Sequence, residues 1–332
     1  MGNLFKGFSG FGWPSGKGNA EAPVPTPADK GPEVSVVTRH SKKPDKSATE
    51  GPTAASARYP GISEAGVELA RERAKEILGM VEKAPKGAVL FIGGASELVR
   101  TASTAEVYGD ELEKLVEGRT DVEVISRKRI SEYAKAEGAP GYTNIVKEIT
   151  ERVDRFPGRT FVVDFPLFLK GMSASAFVEI TREDGKVKEG ATPPYFAKLM
   201  SKHGGDQYLQ LREWIETGGV MEEDGERLVG PRPEEIVAGH AKALERLRAF
   251  AEKQVPGRPV IIGVVGHSWW MDALLVFAAK GTLDAASLDE VDGGKDIISE
   301  TEAGTITIQD GRVRVQYRGK TFERELPYES ES

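Results

Sequence analysis

The sequence predicts an α/β fold of three layers, a mainly parallel sheet covered by helices on both faces. Three observations carry this. Short β-rich runs alternate with segments of helical period along most of the chain. Two of those runs, residues 88–92 (AVLFI) and 260–265 (VIIGVV), are continuously apolar, as strands buried on both faces must be. The composition, 39% hydrophobic and 29% charged over 332 residues, supplies one large core or two smaller ones.

Residues 1–32 are rich in Gly, Pro and Ala, without a period of two or 3.6, and read as a flexible tail. Phe5, Phe8, Phe11 and Trp13 stand among its glycines, so docking through this tail is the alternative to a plain disordered leader. Met1-Gly2 resembles the start of a myristoylation signal, but Lys6 occupies the position that needs Ser or Thr. Residues 34–38 (VSVVT) form the first expected strand. Residues 63–82 have helical spacing, with Ser63 as cap and Gly66 in the first turns. The strand at 88–92 ends in Gly93-Gly94, and a helix follows from Arg100 to Val116, then a short strand at 122–125.

In the middle, residues 160–168 look strand-like, and 176–180 with Val187 suggest a hairpin turning at Asp184-Gly185. Residues 194–216 read as a helix broken at Gly204-Gly205. Residues 233–254 form a Pro-started helix dense in charge pairs. After the strand at 260–265 comes an apolar helix over 269–279. Residues 305–308 and 312–317 alternate around Asp310-Gly311, a hairpin signal. The main domain is expected over 33–322, with an inserted cap at 127–230 and a flexible end at 323–332.

The composition excludes several classes. The chain has no cysteine, which rules out disulfides, thiolate metal sites and a Cys nucleophile. Its net charge of −7 gives no field to draw nucleic acid, so an anionic ligand needs a local group of cations. No apolar run has membrane-spanning length and no signal-peptide pattern opens the sequence, so a cytoplasmic protein is expected.

In parallel sheets ligands bind beyond the C-terminal strand ends. The first strand runs into Thr38-Arg39-His40-Ser41. The second leads to Ser96-Glu97-Leu98-Val99-Arg100-Thr101. The late strand ends in Val265-Gly266-His267-Ser268. Two imidazoles and two guanidiniums thus leave one sheet edge, in a chain with only four histidines. Guanidiniums offer forked donors matched to phosphate oxygens, and a neutral imidazole can attack phosphorus. His203 and His240 lack metal-ligand spacing with another His, and no metal or cofactor is expected.

These residues carry a resemblance. Arg39-His40 resembles the Arg-His-Gly signature of the histidine phosphatase (phosphoglycerate mutase-like) superfamily, main branch. Pro60 to Gly66 resembles its Leu-Thr-x-x-Gly helix start, Ser96 to Ala105 its Ser-Pro-Leu-x-Arg-Thr-x-x-Thr-Ala segment, and Val265 to Ser268 its Val-Ser-His-Gly-Gly segment, all in family order. The resemblance implies a phosphoglycerate mutase-like fold and a phosphatase working through a phosphohistidine at His40. Arg39, Arg100 and His267 would form the phosphate pocket. It also implies a general acid after the third strand, where Arg129-Ile130-Ser131-Glu132 points to Glu132; Asp164, at the end of a strand-like run, is the reserve acid.

Three departures qualify that picture. Ser41 replaces the family's Gly and either donates to phosphate or serves as a cap. Ser268-Trp269-Trp270 replaces the Gly-Gly pair, for core packing or for stacking on a substrate ring. Lys42-Lys43-Pro44-Asp45-Lys46 replaces the Glu and Trp-Asn pair of the mutases, which demotes mutase activity. The expected substrate is a phosphorylated small molecule, less so a phosphoprotein as for a protein phosphohistidine phosphatase; a non-catalytic binding module is the contrasting reading.

Overall fold

The computed structural model describes residues 31–44, 54–128, 142–165, 172–183, 186–223 and 225–326. Its centre is an eight-stranded sheet in the order β12-β11-β10-β1-β9-β2-β4-β3. The strands are β1 (Glu33–Arg39), β2 (Val89–Gly94), β3 (Val122–Ile125), β4 (Thr160–Asp164), β9 (Val260–Gly266), β10 (Ala303–Gln309), β11 (Arg312–Tyr317) and β12 (Lys320–Glu325). β1, β9, β2, β4 and β3 run parallel, while β10, β11 and β12 continue from β1 as an antiparallel meander. The architecture is the mainly parallel, three-layer α/β fold that the sequence predicts.

Helices α1 (Ala54–Arg58), α2 (Glu64–Lys83), α3 (Val99–Leu115) and α4 (Tyr142–Arg155) belong to the first half. In the second half follow α5 (Pro194–His203), α6 (Gln207–Thr217), α7 (Pro233–Gln254), α8 (Trp270–Lys280) and α9 (Ala285–Asp292). The period of two in the strands sorts them. Leu90, Ile92, Val122, Val124 and Val162 pack with α2 and α3 in one core. The alternate residues Val89, Phe91, Ile125, Phe161 and Val163 pack with α4, α7 and α8 in another. β2 and the first residues of β9 are therefore apolar throughout because they serve two cores.

The middle of the chain differs from the sequence reading. α4 and β4 belong to the main layers, since β4 lies between β2 and β3. Of the cap expected at 127–230, the described part that stands outside the sheet therefore lies within 172–230. It contains a one-turn 3₁₀ helix (Ala174–Ala176), the hairpin β5 (Ile180–Glu183) and β6 (Lys186–Glu189), α5, α6, and the hairpin β7 (Val220–Glu223) and β8 (Glu226–Val229). The strand-like run ends at Asp164, and the hairpin strand starts at Ile180 rather than at 176. β12 extends to Glu325, past the expected domain end at 322. The tail aromatics, Glu132 and the Asp184-Gly185 turn lie outside the described residues. No described helix is long and apolar enough to cross a membrane.

Candidate active site

Three neighbouring parallel strands, β1, β9 and β2, deliver the site. Register places Arg39 beside Gly266, and the His40 N–H donates to Gly266 O at 2.8 Å. On the other side of β9, the Ala95 N–H donates to Val265 O at 2.8 Å. The next residues, His40, His267 and Ser96, therefore emerge side by side. The two imidazole centroids stand 5.0 Å apart, edge to face. Ser96 Oγ lies 2.8 Å from His267 Nε2.

The first residues after β1 are held by α2 and α3. Ser63, capping α2, gives its N–H to Lys42 O at 2.9 Å. Thr104 Oγ1 on α3 accepts from Ser41 N at 3.0 Å. The first turn of α2 lies so close that a Cβ on Gly66 would stand 2.5 Å from the Lys42 carbonyl oxygen, so only glycine fits. The Ser41 hydroxyl donates to Gly66 O at 2.6 Å. Its single hydrogen is thereby directed into the fold at the first turn of α2, whose cap is Ser63, and not toward the rim where Ser41 was expected to donate to phosphate.

His40 is buried, and the geometry fixes its tautomer. Its Nδ1 is 2.6 Å from Ser41 O, an oxygen that can only accept, so Nδ1 carries the hydrogen. The Nε2 lone pair then points outward and meets the Arg100 Nε–H at 3.2 Å. Burial lowers the His40 pKa to about 3, helped by the positive charges of Arg100, Arg39 and Lys43 against the Ser41 hydrogen bond. His267 is held well below its ordinary value by burial first, then by His40 and the same cations. Burial and the surrounding cations thus favour the neutral form of both rings.

Arg100 is the second residue of α3, whose N-cap Leu98 makes no side-chain cap bond, so the helix start presents its own amides and positive dipole end. Arg39 reaches Ile298 O at 2.7 Å and the Glu300 carboxylate at 3.4 Å; its Nε–H is buried without a partner among the described residues. Exposed Lys43 adds charge at the rim. The structure thus brings together His40, His267, Arg100 and the charge of Arg39.

It does not bring Asp164 in. That carboxyl is fully buried under α3, where Gly109 makes room for it, and takes Arg127 Nη2 at 2.8 Å. Burial raises its pKa against the pull of Arg127. His203 pairs with Glu213 at 2.5 Å and buried His240 bonds Ile236 O at 2.6 Å, both within the fold. No group of three or more His, Cys, Asp or Glu suited to a metal occurs among the described residues.

No family model and no curated protein matches the chain. Solved structures are similar to it. A mycobacterial glucosyl-3-phosphoglycerate phosphatase is 15% identical, covering 83% of this chain and 90% of that one, with a TM-score of 0.38. The product of a Mycobacterium tuberculosis open reading frame is 12% identical, covering 87% and 98%, TM-score 0.36. A multiple inositol polyphosphate phosphatase of Bifidobacterium longum is 8% identical, covering 92% and 89%, TM-score 0.35. These are distant likenesses, and the chemistry has to be read from the side chains themselves.

Above the rim sits an aromatic roof. Phe177, from the region outside the sheet, stacks on Trp270 at 5.1 Å, and Trp270 meets the His267 ring edge-on at 4.8 Å. Trp269 packs against Phe196 at 5.5 Å and Trp214 at 6.1 Å. Both indoles are therefore packing residues. Trp269 adopts φ 41°, a left-handed conformation natural to glycine, at the position where the resembled segment has Gly. Glu97 fastens the roof: one carboxylate oxygen accepts from the Ser173 hydroxyl and the other from Ala174 N at 3.0 Å. Sequence reading passed over Glu97, although its place beside Ser96 was the available signal.

Proposed function

We propose that the chain is a histidine phosphatase, a metal-independent enzyme that hydrolyses a phosphomonoester through a phosphohistidine on His40. One observation carries the reading: a neutral, buried His40 whose Nδ1 is tied to Ser41 O and whose Nε2 lone pair faces Arg100. The lone pair attacks phosphorus, and the bond from phosphorus to the leaving oxygen breaks. That oxygen takes a proton from the general acid, for which Glu132 is the candidate. Water then attacks the phosphohistidine, giving its proton to the Glu132 carboxylate while the bond from phosphorus to Nε2 breaks, so that inorganic phosphate leaves and His40 and Glu132 return to their starting forms.

Arg100 shifts its fork from Nε2 to the phosphoryl oxygens as substrate enters. Arg39 supplies its unpartnered Nε–H, and neutral His267 supplies one more polar contact. Phosphoryl transfer needs fixed charge more than covalent assistance, and the rim is built of fixed charge. The clamped roof favours a small phosphorylated molecule over a phosphoprotein.

Release of phosphate from a generic aryl phosphate, with EDTA present, is the test. The wild type should turn over and His40→Ala should not. Equal rates in the two proteins would sink the proposal.

A further inference from the structure

Arg39 is gripped by a single loop, residues 297–302. Its N–H donates to Glu302 O at 3.2 Å, its carbonyl accepts from Thr301 N at 3.1 Å, and its guanidinium reaches Ile298 O at 2.7 Å. The loop needs outside support to hold this shape. Thr301, a β-branched residue, sits at φ 61°. Arg318 donates to Ile297 O at 2.7 Å and to Asp296 O at 2.8 Å, and pairs with Glu302.

From the inner side comes Asp272, in the first turn of α8. Its exposure is 0%, and Oδ1 accepts from Ile298 N at 2.6 Å. Ile298 is thus held by Asp272 through its N–H while its carbonyl receives Arg39.

The surroundings of Asp272 are costly. Its Oδ2, both oxygens of Asp292 at the end of α9, and the Tyr317 hydroxyl on β11 are buried without partners among the described residues. Arg39, Arg318 and Glu302 complete the charged groups around it. Burial raises Asp272 to about 6, opposed by the Ile298 hydrogen bond; burial, then the charge of Asp272, raises Asp292 to about 8. A carboxyl with a raised folded pKa binds protons more tightly when folded, so stability is lost as pH climbs through those values. Stability alone would favour apolar side chains here.

We propose that Asp272 is a positioning residue of the phosphate site, holding Ile298 so that the 297–302 loop aims Arg39 at the phosphoryl group. This rests on reading the strand-end rim as a phosphate site.

Orthovanadate binding, measured by titration calorimetry on the full chain, tests it without needing turnover. Arg39→Ala should weaken vanadate about tenfold, and Asp272→Ala should weaken it by the same factor. The double variant should be no weaker than Arg39→Ala alone, because both remove one device. Asp272→Asn keeps an oxygen facing Ile298 N and should stay within about threefold of wild type. Wild-type affinity in Asp272→Ala, or losses that multiply in the double variant, would overturn the proposal. If circular dichroism shows Asp272→Ala unfolded, Asp272→Asn decides: a loss as large as that of Arg39→Ala overturns it. A wild type that binds no vanadate overturns the phosphate-site reading itself, and the positioning role with it.

Discussion

The rim and the roof are held by different forces. At the rim, polar side chains are fixed by main-chain atoms of neighbouring elements: His40 by Ser41 O, Ser41 by Gly66 O, Arg39 by Ile298 O. In the roof, Phe177, Phe196, Trp214, Trp269 and Trp270 pack on one another, with Trp270 resting on His267 and the Glu97 carboxylate binding Ser173 and Ala174. A hydrogen-bonded rim fixes angles, which chemistry needs. An aromatic roof is held by contact area, which fixes its shape more than any one angle. Variants of the two regions should therefore fail in different ways.

The largest effect belongs to the rim. His40→Ala should lower kcat by at least about 10³-fold while leaving the thermal midpoint near wild type, read by steady-state rates and calorimetry. A normal rate would break the assignment of chemistry to the rim. Arg100→Ala should cost about 10²-fold in kcat/KM, with Arg100→Lys recovering only part, because lysine lacks the fork. Full recovery by lysine would reduce the Arg100 role to charge alone.

The roof variants should show in stability first. Trp269→Gly relieves a backbone strain of about 1 kcal/mol but removes a large packed side chain worth about 3 kcal/mol. Packing wins, so denaturant unfolding should show a net loss of about 2 kcal/mol. A stabilised protein would mean that the indole is held there for something other than packing. Glu97→Gln keeps one acceptor and should leave hydrolysis of a small aryl phosphate within about threefold, while raising the relative rate on a phosphopeptide. An unchanged ratio would show that the clamp does not govern entry.

The smallest expected change is in pH dependence. His40 has a folded pKa lowered to about 3, so its neutral form persists from alkaline pH down to about 4. The kcat/KM profile should accordingly show no inflection near 6.5 from the nucleophile. An acid limb at that pH that Arg100→Ala shifts would contradict the neutral rim.

How legible this was differs by region. The strands 260–265 and 88–92 and the residues at their ends were readable, because a strand buried on both faces leaves an unbroken apolar run. β12 was not, since Lys320–Glu325 is an exposed edge of mostly charged residues. The hairpin Val220–Glu223 with Glu226–Val229 was missed because its strands are only four residues long and half charged. Arg39 and His267 stand at strand ends and Arg100 in the first turn of α3, the places the sequence reading gave them. Asp164 was misplaced as a reserve acid, because nothing local announces its partner Arg127, 37 residues away. The 297–302 loop has no period at all, and its meaning lies in long-range contacts to Arg39, Asp272 and Arg318. Glu132 lies outside the described residues.

The central claim is that Nε2 of His40 attacks, because Nδ1 is already committed to Ser41 O. Rapid acid-free quenching of a turnover reaction, followed by phosphorus NMR of the peptide containing His40, tests it directly. The account predicts an acid-labile phosphoryl group on Nε2 of His40. A phosphoryl group on Nδ1, or turnover with none on His40, would contradict it.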